Sequence, residues 1–220
     1  MFDRDAWPRI LPFAAYLAII VVTDLLLRLG VPAADLRWMY AVKIAVVLGL
    51  LLWFRRSYTE LAGPWPGLGT LGVAVATGVV VLVLWINLNA GWMHIGAPTG
   101  FDPRNNGTLD WPLAMVRLAG AALVVPVMEE LFWRSFLMRW VQLPRFLELR
   151  PAAVGLKALA VSAVLFGIEH DLWLAGIIAG VAYSLLYIRS GKLWAPTLAH
   201  GVTNGLLGGW IIATGNWTYW

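Results

Sequence analysis

Residues 121–134 read Ala-Ala-Leu-Val-Val-Pro-Val-Met-Glu-Glu-Leu-Phe-Trp-Arg. They set two carboxylates, Glu129 and Glu130, and one helical turn later a guanidinium, Arg134, inside an apolar stretch that runs over 113–140. An ionisable group at the centre of a bilayer costs about 2.5–3.5 kcal/mol on insertion scales, so charges in such a place are paired or functional. The stretch therefore marks both a membrane span and the place to seek the function.

The surrounding sequence has the same character. The 220-residue chain is 60% hydrophobic and 13% charged, with 14 tryptophans and a mean hydropathy of +0.75. No water-soluble domain of this size needs so much apolar surface for its core. Runs near the ~20 residues that cross a bilayer occur at 10–29, 38–54, 68–89, 113–140, 157–171, 172–189 and 194–213, which predicts an all-α polytopic membrane protein of about seven to eight transmembrane helices. The fifth run is short and ends in Glu169, His170 and Asp171, as a broken or re-entrant helix would. The loop 89–110, rich in Gly, Pro and Asn, divides residues 1–110, with the first three spans, from a core at 111–220, within one integral domain.

With no cysteine in the chain, thiol nucleophiles, disulfides and thiolate metal sites are excluded. The net charge of +4 does not indicate nucleic acid, because the cations are scattered between apolar spans and form no solvated stripe. They serve better as orientation signals. Arg4, Arg9, Arg55, Arg56, Arg139, Arg145, Arg150, Lys157, Arg189 and Lys192 fall on one side, and Arg28, Arg37 and Arg104 on the other. That asymmetry places the N-terminus inside and, with seven crossings, the C-terminus outside, in an inner (cytoplasmic) membrane.

Three pairs in the core are spaced by four residues and so share a helix face: Glu130 with Arg134, Phe166 with His170, and His200 with Asn204. Counting about 1.5 Å per residue from the inside ends, Glu129 lies roughly 16 Å deep, His170 about 20 Å, His200 about 9–12 Å and Asn204 about 15–18 Å. Polar groups from separate helices at similar depth are what a buried reaction centre requires. Pro126, which has no N–H to donate, is expected to kink its helix beside the glutamates and admit water.

The order Glu-Glu-x-x-x-Arg, Phe-x-x-x-His, His-x-x-x-Asn over 113–210 resembles the CPBP (Abi) family of intramembrane proteases, which includes CAAX prenyl endopeptidases of the Ras-converting type. The short, tryptophan-rich chain is most similar to its exosortase-associated CAAX-protease-related members. The resemblance implies that Glu129 and His170 activate a water, that His200 and Asn204 stabilise the oxyanion, and that Arg134 holds Glu130, with Phe166 in support. It implies a membrane-anchored or exported protein, or a lipidated peptide, as substrate. The family has an uncharged residue before this histidine, so Glu169 is a departure.

The residue chemistry agrees. A carboxylate sheltered from water is a competent base, and a histidine N–H with an asparagine amide supplies oxyanion donors. Glu129, His170 and His200 also satisfy the composition of a two-histidine, one-carboxylate zinc site, although no His-Glu-x-x-His or inverted motif is present. Metal-free hydrolysis, with no cofactor, is preferred for so ligand-poor a set, and zinc stays open. The competing class is non-enzymatic: a proton-coupled transporter, or an immunity or scaffold protein, using the same buried groups. His94, in the loop, matches no motif and reads as a surface histidine. Gly176 and Gly180 allow close helix approach, which serves core packing better than homodimerisation.

Overall fold

The computed structural model describes residues 3–96 and 100–220. Among the described residues, seven helices of 13 residues or more form the bundle: α1 (Trp7–Arg28), α2 (Met39–Trp53), α3 (Leu68–Asn87), α4 (Trp111–Trp140), α5 (Leu156–Ile168), α6 (Trp173–Ser190) and α7 (Trp194–Thr214). A two-residue antiparallel pair, β1 (Arg104–Asn105) with β2 (Thr108–Leu109), is the only named sheet among them. Four helices, α1 with its preceding turn, α3, α4 and α6, are long and apolar enough to cross a membrane. The protein is an all-α membrane protein.

Local sequence accounts for where the helices begin. Asp110 caps α4 by accepting from the Leu113 amide at 3.2 Å, and Pro112 occupies the first turn, where its missing N–H costs nothing. α5 is short: at about 1.5 Å per residue its 13 residues span roughly 20 Å, two-thirds of a bilayer's hydrocarbon. The chain turns at Glu169–Leu172 and returns as α6, so His170 is held within the bundle rather than at its rim. The broken character of the fifth run is thus realised as a short helix and a tight turn.

α4 takes a different form from a simple proline kink. It winds as a π-helix over Gly120–Val124, as an α-helix over Val125–Glu130 and again as a π-helix over Leu131–Leu137. In the register of the first wide turn, the Val125 amide donates to Gly120 oxygen, so the next amide, at Pro126, would face the Ala121 carbonyl and is missing. Asn204 of α7 supplies that donor, with Nδ2 at 2.9 Å from Ala121 oxygen. π turns concentrate at functional sites because they re-aim side chains without ending the helix.

Close helix contacts depend on glycine. A Cβ on Gly180 would lie 2.9 Å from Ala163 Cα, and one on Gly176 would lie 2.9 Å from Gly167 Cα. The Gly176–Gly180 step is therefore occupied by α5 of the same chain, as expected for core packing. Gly78 brings α3 against α7, where a Cβ would meet Ala199 oxygen at 2.4 Å.

The connections gather at two ends. At one, the α3–α4 loop meets the α5–α6 turn and the C-terminal segment: Ile95 N–H donates to Asp171 oxygen at 2.8 Å, and Asn89 Nδ2 to Tyr219 Oη at 2.9 Å. At the other lie the start of α1, the α2–α3 loop and the α4–α5 and α6–α7 connections. There Glu60 accepts from Arg9 Nη2 at 2.5 Å and from Ser135, and pairs with Arg139 at 3.4 Å. Arg9 and Arg139 are 0% and 3% exposed. They are structural partners of Glu60, a role that counting cations for orientation does not disclose. Burial pushes the Glu60 carboxyl up, but the hydrogen bonds and charge of Arg9, with the Ser135 hydroxyl, outweigh it and hold the group below the usual carboxylate range.

Candidate active site

Glu129, His170, His200 and Asn204 line one cavity of about 300 Å³ inside the bundle, together with Phe166, Tyr183 and Trp85. α4, α5 with its following turn, and α7 thus bring to one place the four residues that the spacing pattern singles out. A cavity of this size admits several waters or a stretch of peptide backbone. A second, of about 690 Å³, continues from it toward the α3–α4 loop, sharing Trp85, His170, Tyr219 and Trp220. Glu169 lines this wider space rather than the one around Glu129.

The hydrogen bonds decide what each histidine can do. His170 Nδ1 lies 2.7 Å from the Phe166 carbonyl, which can only accept, so Nδ1 carries the proton. A neutral His170 consequently has a bare Nε2, an acceptor and a base. Its ring is fixed by Phe166 at 4.6 Å and by an edge contact with Trp85 at 5.3 Å. His200 Nδ1 lies 3.0 Å from Glu130 Oε1, and its Nε2 lies 4.0 Å from Glu129 Oε2. The Glu130 carboxylate also pairs with Arg134 at 3.2 Å and accepts from His200 Nδ1. His200 Nε2 carries a proton only when the ring is an imidazolium, for which Glu130 is the counter-ion.

Aromatic faces complete the enclosure. The Arg134 guanidinium sits 4.2 Å from the Phe166 ring centroid and 5.4 Å from that of Tyr183. Tyr183 stacks on His200 at 5.1 Å, while its hydroxyl donates to Thr203 Oγ1 at 2.7 Å and Thr203 donates to Gly78 oxygen at 2.9 Å. Phe166 covers Arg134 and lies between the two histidines, 4.6 Å from the His170 ring and 6.2 Å from that of His200. Glu129 Oε2 has no hydrogen-bond partner among the described residues and faces the cavity. Of the Asn204 amide, one N–H is used on Ala121, which leaves the other for a ligand.

Among the described residues no three of His, Cys, Asp and Glu are grouped as a metal site. Sequence spacing also misses residues that the structure brings to the site. Tyr183 and Thr203 orient His200, and Thr203 could have been found from its position three residues after His200 on the same face. His94 is not a free surface histidine: its Nδ1 lies 2.7 Å from Asp171 Oδ2, tying the α3–α4 loop to the turn that carries His170. The hydrogen bond to Asp171 raises the His94 pKa above its ordinary value. No local signal announces this contact, since its two ends are 77 residues apart.

Residues 111–206 match the family model described as Rce1-like, type II CAAX prenyl endopeptidase. This segment, which holds Glu129, His170, His200 and Asn204, is similar to the CAAX-type intramembrane proteases. Comparison with curated proteins found no match to the chain, and comparison with solved structures found none.

Proposed function

We propose that this chain, similar over residues 111–206 to the CAAX-type intramembrane proteases, is an endopeptidase that hydrolyses a peptide bond of a membrane-anchored or exported protein, inside the bilayer of the cytoplasmic membrane. The observation that carries the reading is the convergence of Glu129, His170, His200 and Asn204 on one buried cavity. In the reaction, a water held between Glu129 and the bare Nε2 of His170 loses a proton to the carboxylate and attacks the scissile carbonyl carbon. The oxyanion so formed receives hydrogen bonds from the second Asn204 N–H and from Nε2–H of the His200 imidazolium, whose charge Glu130 balances. Glu129 then returns the proton to the leaving nitrogen as the C–N bond breaks, which restores the carboxylate.

Residues 1–110 surround this core and form its access route, and the cation asymmetry sets the N-terminus inside. The test compares the termini of membrane and exported proteins in cells making the wild type or Glu129→Gln. Specific new termini should be present with the wild type and absent with the variant. Identical termini in both, with equal amounts of folded protein, would refute the reading. In vitro, His170→Ala and His200→Ala should abolish cleavage of the protein so identified.

A further inference from the structure

Two cations within the bundle make no ion pair among the described residues. Lys43 of α2 is 9% exposed, and its ammonium meets only ring faces, Tyr16 at 3.9 Å and Tyr40 at 5.0 Å to the centroids. Arg117 of α4 lies over Tyr40 and Phe101, each at 4.7 Å, and neither cation makes an ion pair among the described residues. Ring faces offset only a fraction of the hydration that a buried cation loses. Arg117 and Tyr40 line the cavity of Glu129, and they also line a neighbouring one of about 570 Å³ between α1, α2 and α4, which Lys43 borders. Asp24, the one carboxylate on that second cavity, is held by Arg28 at 2.7 Å, and Arg37 is directed to Pro103 oxygen at 2.6 Å. Lys43 and Arg117 are thus two cations on adjoining cavities that share Tyr40, Arg117 and Trp220 and lead to Glu129, the carboxylate on that route, and neither is ion-paired with it.

We propose that Lys43 and Arg117 form an anion subsite for the substrate, receiving carboxylate or phosphate oxygens beside the bond that Glu129 addresses; this rests on the peptidase reading above. An anchored anion fixes the direction in which an otherwise featureless apolar segment lies in the cavity, and so which carbonyl meets Glu129. The free carboxylate of a peptide end and the phosphate of a lipid headgroup present the same chemistry.

The test uses the purified full chain in phosphatidylcholine nanodiscs, with the peptide acetyl-Leu-Leu-Leu as its free acid and as its C-terminal amide, by calorimetry. The acid should bind about tenfold or more tighter than the amide, as expected for charge-assisted hydrogen bonds. The preference should vanish in Lys43→Met and Arg117→Met and return in Lys43→Arg. In a variant-free arm, inorganic phosphate should displace the acid from the wild type. Where the anion is a lipid phosphate, nanodiscs containing phosphatidylglycerol should instead show the Lys43- and Arg117-dependent binding. Equal binding of acid and amide with no effect of phosphatidylglycerol, or a preference that survives both Met variants, overturns the subsite. Because binding is read without turnover, selective binding of the acid by a wild type whose cells show the same termini as cells making Glu129→Gln would refute the peptidase reading and leave the subsite standing.

Discussion

Glu130→Gln isolates the role of the second glutamate. Glu130 Oε1 lies 3.0 Å from His200 Nδ1 and 3.2 Å from Arg134 Nη1, and the Glu130, Arg134 and His200 side chains are 0%, 1% and 5% exposed. Glutamine keeps the shape and an acceptor oxygen but removes the charge. Arg134 is then a buried cation facing only the rings of Phe166 and Tyr183, and breaking such a pair costs about 3–5 kcal/mol of stability, with the retained oxygen favouring the lower end. The chemical loss is separate. Without its counter-ion His200 stays neutral, with the proton on Nδ1 and a bare Nε2, so the oxyanion loses one donor. That removal is worth about 2.7–4 kcal/mol, or a fall in kcat of roughly 10²–10³-fold. Arg134→Gln is the control, since it breaks the same ion pair but leaves Glu130 charged beside His200. Thermal unfolding in nanodiscs should show similar destabilisation for the two variants, while steady-state cleavage should show a much larger kcat loss for Glu130→Gln. A Glu130→Gln enzyme that keeps kcat within a few-fold of wild type, or the same loss in both variants, would refute the imidazolium argument.

Glu60→Gln should destabilise the fold by about 3–5 kcal/mol, read by thermal unfolding, because it strips Arg9 and Arg139 of their buried counter-charge. The Glu60 carboxyl titrates lower folded than unfolded, so its contribution is complete above the ordinary carboxylate pKa and is lost as pH falls through the lowered one; the wild type should lose stability there and the Gln variant much less. His94 titrates higher folded than unfolded, so the contact with Asp171 is complete below the ordinary histidine pKa and weakens as pH rises through the raised one. Hydrogen exchange at Ile95, corrected for intrinsic rate, should accelerate over that range in the wild type, and His94→Ala should exchange fast throughout. Gly167→Ala sets a Cβ 2.4 Å from Ile177 Cγ1 and 2.7 Å from Trp173 oxygen, so α5 and α6 must separate, at about 1–3 kcal/mol, with a loss of cleavage from the displaced His170 that Gly155→Ala, with 3.5 Å of room, does not share.

The spans were legible because a bilayer demands long apolar runs, and each of the seven appears as a helix. The same physics explains the less regular parts. α5 stops early where Glu169, His170 and Asp171 replace apolar residues, and α7, at 21 residues, falls outside the four clearly apolar spans because it carries Thr197, His200, Thr203 and Asn204. The candidate site was legible only as far as helical spacing reaches. A spacing of four puts Glu130 with Arg134 and Phe166 with His170, and both contacts form. What spacing does not encode is which helix answers another's need. Pro126 announces that a carbonyl in its own helix lacks a donor, but the donor is Asn204, 83 residues beyond that carbonyl, brought near because α7 packs on α4 at Gly201, where a Cβ would lie 2.9 Å from the Ala122 oxygen. The same bond holds the first π turn of α4 against α7 and leaves the second N–H of this cavity-lining amide for the proposed oxyanion. The helix distortion and the proposed oxyanion donor are therefore one structural device, visible in the sequence as two unrelated residues.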